Sequence, residues 1–238
     1  EGASGIVHPL LAESVTQFQA QAYREMLPAG GPVKTAIIGA ETPETAAQAE
    51  RVRNYMNYQI TYEMEEYDPE LDQMLFYLPI VGSAFKKVYL DPSLQRAVSK
   101  FVHSEDLIVP YTATDLATAT RITHCIRMDK NEIRKLQLAG FYIDIDLPTS
   151  GADSDTMNDV KDTINEIEGI SGNSTQNEDM TIYEVHTNLD IEGFEDIGSD
   201  GEPTGLKMPY IVTIMEDSGD ILSIKRNFNE SDPLRRKI

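Results

Sequence analysis

Four side chains raise the question of chemistry first. Asp144 and Asp146 lie two apart in FYIDIDL, and Glu184 and His186 lie two apart in TIYEVHT. On an extended strand that spacing puts each pair on one face. Three carboxylates and an imidazole form a donor set for Mg²⁺ or Mn²⁺, hard cations that take oxygen ligands. The corresponding activity is a carboxylate-dependent metal enzyme acting on nucleic acid, built on Asp144, Asp146 and Glu184. No spacing rule joins the two pairs, however, and alternating acids are also what a solvated strand face looks like. We favour that plainer reading.

Other motifs fall short of a site. Gly30-Gly31-Pro32-Val33-Lys34-Thr35 is similar in part to a phosphate loop, but G-x-x-x-x-G-K-[ST] is absent and Pro32 removes an N–H that phosphates would need. His124 and Cys125 are neighbours on a predicted strand, so their side chains diverge, and Cys125 reads as a buried structural thiol. Asp153, Asp155, Met157 and Asp159 begin like a calcium loop. The sixth position is Asn158 rather than Gly and the twelfth is Ile164 rather than Glu, so the match fails. His8 and His103 stand alone. Lys225-Arg226 and Arg235-Arg236-Lys237 are the basic concentrations, suited to an acidic neighbour, DNA or plain solvation. Asn173-Ser174-Thr175 and Asn229-Glu230-Ser231 match the glycosylation sequon and read as chance. From the residues alone no catalytic, cofactor-binding or metal residue is assigned.

The elements that would position these residues change character near the stretch LDQMLFYLPIVGSAFKKVY (71–89). Leu71, Met74, Leu75 and Leu78 give one apolar helix face, with Asp68 as N-cap and Pro69 in the first position. Pro79 should kink or end that helix near Leu78. Gly82-Ser83-Ala84 makes a corner. Before it, a helix is predicted over 10–26, with Leu11, Val15, Phe18, Ala22 and Met26 as its stripe. A short strand or extended linker follows at 33–39. A long helix is then predicted over 43–66, opened by Thr42-Pro43-Glu44. Its Val52, Met56, Ile60 and Met64, flanked by Tyr55 and Tyr62, read as core packing.

After the corner, strands are predicted at 85–90, 98–103, 107–110 and 120–128. Asp129, Glu132 and Gly140 punctuate a short helix anchored by Ile133 and Leu136. Strands follow at 141–147, 180–189, 208–215 and 221–226, the last two as a hairpin. Segment 148–179 shifts to Ser, Asp, Asn, Gly and Thr. It reads as a mobile, protease-sensitive insertion with one helix through Met157, Val160, Ile164 and Ile167 and a stop at Gly169. The class is therefore α+β: N-terminal helices packed on an antiparallel β-sheet or small barrel. The expected organisation is one domain, helical over 1–82 and β-rich over 85–147 and 180–228.

Composition narrows the function classes. Among 238 residues, forty acids against twenty bases give a net charge of −20, which argues against a general grip on nucleic-acid phosphates. One cysteine rules out an internal disulfide. No apolar run reaches the roughly 20 residues of a membrane-spanning helix. The first residue is Glu1 rather than Met, and the chain is expected to be a piece of a longer polypeptide.

Four stretches, at 8–35 (HPLLAESVTQFQAQAYREMLPAGGPVKT), 53–92 (RNYMNYQITYEMEEYDPELDQMLFYLPIVGSAFKKVYLDP), 105–147 (EDLIVPYTATDLATATRITHCIRMDKNEIRKLQLAGFYIDIDL) and 206–228 (LKMPYIVTIMEDSGDILSIKRNF), cover more than half of the chain in order. In these the sequence resembles the portal proteins of tailed double-stranded DNA bacteriophages of the short-tailed-phage type, in their N-terminal wing region. The resemblance implies a structural, non-enzymatic protein of the virion, assembled in the bacterial host cytoplasm and placed at the capsid vertex. It implies a homo-dodecamer in the full-length form, with no cofactor. The implied partners are terminase, major capsid protein, scaffold and head-to-tail adaptor proteins. Double-stranded DNA would pass through the channel for packaging and ejection without sequence-specific binding, and acidic walls would let it slide. Stem, clip and crown regions are expected outside this chain. An acidic capsid adaptor or scaffold module that forms no ring is the blander alternative.

Overall fold

The computed structural model describes residues 9–91, 94–147, 179–197, 201–229, 231–232 and 237. The helix expected between Met157 and Ile167, the run beginning at Asp153, the Asn173 sequon, His8 and Arg235-Arg236 lie outside these residues. The fold is α+β, in two compact units, Glu1–Ser104 and Glu105–Ile238.

The N-terminal unit holds α1 (Leu10–Met26), α2 (Pro43–Tyr58), α3 (Tyr67–Val81) and a two-stranded antiparallel sheet of β1 (Phe85–Asp91) and β2 (Arg96–Val102). α3 is its centre. Leu71 and Leu75 are buried, Met74 and Leu78 half-buried, so the predicted apolar face points inward. α1 packs on α3, helped by polar bridges in which Gln19 donates to Asp72 (2.7 Å) and the Tyr23 hydroxyl to Asp68. Of the stripe predicted on α1 only Val15 is buried; Leu11, Phe18 and Met26 are exposed.

The ends of α3 differ from expectation. The helix begins at Tyr67, with Glu66 at the cap position, so Asp68 lies inside the first turn instead of capping it, and its carboxylate accepts from the Tyr23 hydroxyl of α1. Pro79 sits inside the last turn, and the helix runs on to Val81. Proline's fixed φ is compatible with a helix, and the helix continues for two residues past it although its missing N–H gives up one hydrogen bond. Gly82 ends the helix in the left-handed conformation (φ +87°), with its N–H bonded to Leu78 (2.8 Å).

α2 stops eight residues short of its predicted end. Five residues of π-helix, Gln59–Glu63, follow it, closed by the Met64 N–H on the Gln59 carbonyl (2.9 Å). Its N-terminus is capped as predicted at Thr42, in a reciprocal box with Thr45. The core stripe is not core: α2 buries no residue, Val52, Tyr55, Met56 and Tyr62 are exposed, Tyr62 to 74%, and Ile60 and Met64 beyond it are only half-buried. What α2 packs against is the extended chain after Gly31, where Asn57 accepts from the Val33 N–H (2.9 Å) and donates to its carbonyl (3.2 Å).

The C-terminal unit is built on a five-stranded antiparallel sheet in the order β3-β4-β5-β6-β7: Leu107–Ile108, Arg121–Asp129, Asp179–Leu189, Met208–Met215 and Ile221–Arg226. Among the described strands, β3 and β7 remain edges, so this is an open sheet rather than a barrel. α4 (Lys130–Leu138) is capped by Asp129, which accepts from Asn131 (3.2 Å), and the chain turns at Gly140 in the left-handed conformation (φ +77°) as predicted. Ile133 of α4 joins Met180, Ile182, Met215 and Leu222 in a fully buried core. Leu222 reaches it through a bulge. Ser223 pairs with Thr213 and Ile221 with Ile214, so Leu222 is the extra residue on β7.

Segment 141–147 was predicted as a strand and is not one. The predicted alternation holds only over its second half: Ile145 and Leu147 pack on the core with Asp144 and Asp146 exposed, but Tyr142 packs there in place of Ile143, which is exposed. The segment's hydrogen bonds go elsewhere. The buried Gln137 side chain donates to the carbonyls of Ile143 (3.2 Å) and Ile145 (2.9 Å), and the Ile143 N–H takes the Leu222 carbonyl (2.8 Å). One amide side chain thus does here what a neighbouring strand would have done.

Candidate functional site

Asp144 and Asp146 lie in a cleft of about 640 Å³ between α4 and segment 141–147, lined also by Asp129, Lys130, Arg134 and Gln137. The cleft follows from local folding. Gln137 and Arg134 are three apart and so project from one side of α4. Arg134 donates to Gln137 (3.0 Å) and forms an ion pair with Asp144, while Gln137 holds the backbone of the facing segment. Asp129 is occupied as the helix cap. One acid of the cleft, Asp144, is thereby paired with a base, Arg134, and a second, Asp129, with backbone.

Glu184 and His186 stand on β5, away from this pairing, and bond each other: His186 Nε2 lies 2.9 Å from Glu184 Oε1. The strand register sets His124, Glu184, Thr213 and Ser223 opposite one another across β4 to β7. This is a transverse polar row that the linear sequence hides, because its members come from four separate segments. At its β7 end the buried Ser223 hydroxyl donates to Thr213 (3.0 Å). Among the described residues no three His, Cys, Asp or Glu side chains are placed to hold a metal ion.

Cys125 pairs across the strands with Tyr183, next to but on the opposite face from the His124–Glu184 pair, as adjacent strand residues must be. Burial first, then the charges of Asp106 and Glu216, pushes its thiol above the ordinary value. That keeps the thiolate scarce at neutral pH and makes Cys125 a poor nucleophile. The Tyr183 hydroxyl donates to Glu216, and this bond, with burial, pushes the phenol up to about 12. A group whose folded value is raised adds stability that is complete below its unfolded value and is lost as pH climbs through the folded one. Thermal melts of the chain are therefore expected to fall between pH 10 and 12. Tyr183→Phe should flatten that fall and cost less than about 1 kcal/mol at neutral pH, since the pair is water-screened.

The glycine-rich turn at 30–35 is filled from within. Gly31 adopts φ +90°, and a Cβ there would sit 2.5 Å from the Asn57 side chain. Asn57, not an anion, occupies the concavity. Gly31→Ala is expected to cost about 2 kcal/mol, from the left-handed backbone and the collision together. A urea titration checks this, and a loss below about 0.5 kcal/mol would contradict the packing described.

Single histidines and basic pairs are also accounted for locally. His103 lies edge-on to Tyr77 (4.5 Å) and beside Phe101 (4.4 Å). Lys225 lies 6.0 Å from the Phe141 ring, Arg226 lies 6.0 Å from the Phe194 ring, and Lys237 donates to the Ala119 carbonyl (2.6 Å).

Sequence reasoning missed one constellation in the N-terminal unit. Glu66 forms a two-pronged pair with Arg96 (2.9 and 2.8 Å) and also accepts the Ser99 N–H (3.4 Å). One turn on, Glu70 accepts the Phe101 N–H (2.7 Å). These are alternate N–H groups of β2, on the side turned away from β1. Two carboxylates, Glu66 just before α3 and Glu70 in its first turn, thus cover a strand edge that would otherwise stay open. The i, i+4 spacing of the glutamates was visible; what they meet was not. Lys86 lies 3.6 Å above the Tyr67 ring nearby, and burial lowers its amine below the ordinary value, partly offset by Glu70.

Among the described residues no helix is long and apolar enough to cross a membrane. No protein-family model matches the chain, and no curated protein matches it.

Proposed function

We propose that this chain is the wing-bearing part of a phage portal protein, a subunit of a ring at the capsid vertex through which DNA is packaged and ejected. The observation that carries this reading is the four-stretch resemblance, held in order over more than half of the chain. The α+β class and the net charge of −20 are consistent with it. An acidic surface repels phosphates and lets a duplex slide past without sticking. The competing metal-enzyme reading needs Asp144, Asp146 and Glu184 around one ion. Asp144 is instead paired with Arg134 and Glu184 with His186. Terminase, capsid, scaffold and head-to-tail adaptor proteins are the partners this proposal carries with it.

Native mass spectrometry of the full-length gene product, with this chain beside it, tests the reading. A closed ring near the mass of twelve subunits is expected for the long form. A monomer or dimer would overturn it and return attention to a metal titration of the acidic residues.

A further inference from the structure

The two-stranded sheet of the N-terminal unit has two edges, and the fold treats them differently. On β2 the outward N–H groups of Ser99 and Phe101 are taken by Glu66 and Glu70. On β1, among the described residues, no strand lies on the far side. The register fixes which groups point there. Ser99 and Phe101 turn their backbone away from β1, and they stand opposite Val88 and Lys86. In an antiparallel ladder the members of such a pair turn away from each other. Lys86, Val88 and, two further on, Leu90 therefore present their N–H and C=O groups outward. Val88 and Leu90 are also 66% and 71% exposed, and they share one face of the sheet.

Lysines on an edge strand ordinarily guard it. Here both are turned onto rings of their own chain. The Lys86 amine lies 3.6 Å from the centre of the Tyr67 ring, and the Lys87 amine 5.2 Å from that of Tyr89. A row of outward backbone donors and acceptors specifies its occupant more narrowly than an apolar face does, since an extended strand is what answers it.

The residues of β1, FKKVYLD, specify which strand. Laid antiparallel against itself about Tyr89, β1 sets Val88 opposite Leu90, Tyr89 opposite Tyr89 and Lys87 opposite Asp91. Apolar meets apolar, ring meets ring and cation meets carboxylate, the pairings that stabilise neighbouring strands. The Val88–Leu90 pairs are also those whose backbone groups face outward, so they carry the hydrogen bonds. The ladder stops where Lys86 meets Pro92, which has no N–H. Centred on Val88, the same strand would set Lys86 against Leu90 and Phe85 against Asp91. Centred on Lys87, it would set that lysine against itself.

We propose that β1 pairs with β1 of a second copy of this chain, antiparallel and two-fold about Tyr89, joining the two sheets into one. The contact is isologous, each side supplying the same patch, whereas contacts that close a ring are heterologous. It therefore rests on β1 and not on the ring reading, which the mass of the long form tests separately.

The test follows the ¹⁵N-labelled chain by sedimentation velocity and amide exchange as its concentration is raised. The mass is expected to rise from one copy to two. The Val88 and Leu90 amides should slow about tenfold in step with it, while those of Lys87 and Tyr89, which face β2, are slow throughout. Val88→Glu, at an exposed position, should lower the association constant about tenfold, since each cross-strand pair occurs twice by symmetry. Lys87→Asp and Asp91→Lys should each lower it by a similar factor, and the two together in one chain should restore it. Slow exchange at Tyr89 verifies that the hairpin is retained in every variant. One copy at all concentrations, with Val88 and Leu90 exchanging freely, overturns the pairing. A two-copy mass that leaves those amides unprotected overturns it too, because the contact then lies elsewhere. Protection of both amides in the single copy would show the edge covered within the chain and overturn it as well.

Discussion

Replacing both Glu66 and Glu70 by alanine is expected to destabilise the N-terminal unit by about 3 kcal/mol and to speed amide exchange at Ser99 and Phe101. The change removes the two acceptors of those N–H groups and leaves Arg96 without its carboxylate. Hydrogen bonds to a charged group are worth about 1.5 to 3 kcal/mol when buried, and this pair is only partly so, at 27% and 18% exposure. The effect also has a pH signature. The Arg96 bond is the main cause holding the Glu66 carboxyl below its ordinary value. A depressed carboxylate adds stability that is present above the unfolded value and is lost as pH falls through the folded one. Wild-type stability should therefore drop below about pH 4.3, and the double variant should drop less. Exchange at Ser99 and Phe101 unchanged from wild type would show that solvent, not α3, satisfies the edge of β2.

Ile133→Ala should cost the C-terminal unit about 3 kcal/mol, because the cavity it leaves is walled by side chains with little room to collapse. Ile133 is 0% exposed and meets Met180, Ile182, Met215 and Leu222, contributed by three strands. Val52→Ala on α2 is the matched control. At 44% exposure it should change stability by less than about 0.5 kcal/mol. Denaturant titrations of both variants, read as midpoint shifts, check the contrast. Equal losses would mean that α2 is core after all.

The candidate site was partly legible. Asp144 and Asp146 were singled out from their spacing, and they do share a cleft. The pairing of Asp144 with Arg134 was not legible, since it depends on how α4 turns back toward segment 141–147. The polar row His124–Glu184–Thr213–Ser223 could not be read at all, because strand register brings its members together. The Glu66–Arg96 pair spans thirty positions and arises only when α3 lies on β2.

By itself the sequence determined where most elements begin and end. The helix at Leu10–Met26, the cap at Thr42, the stop at Gly140 and the β6–β7 hairpin all follow from short-range causes: side-chain caps, left-handed glycines and hydrophobic period. Tertiary structure alone decided which apolar stripes become core. Val52 and Met56 have the same spacing logic as Leu71 and Leu75, yet only the latter found a partner face. It also decided that the alternating segment 141–147 takes its bonds from Gln137 and β7 rather than from a strand, and that a bulge sends Leu222 inward. The physical reason is common to all three. Periodicity states which side chains want burial, whereas which surface buries them, and which donor meets each carbonyl, depends on chain segments far away in sequence.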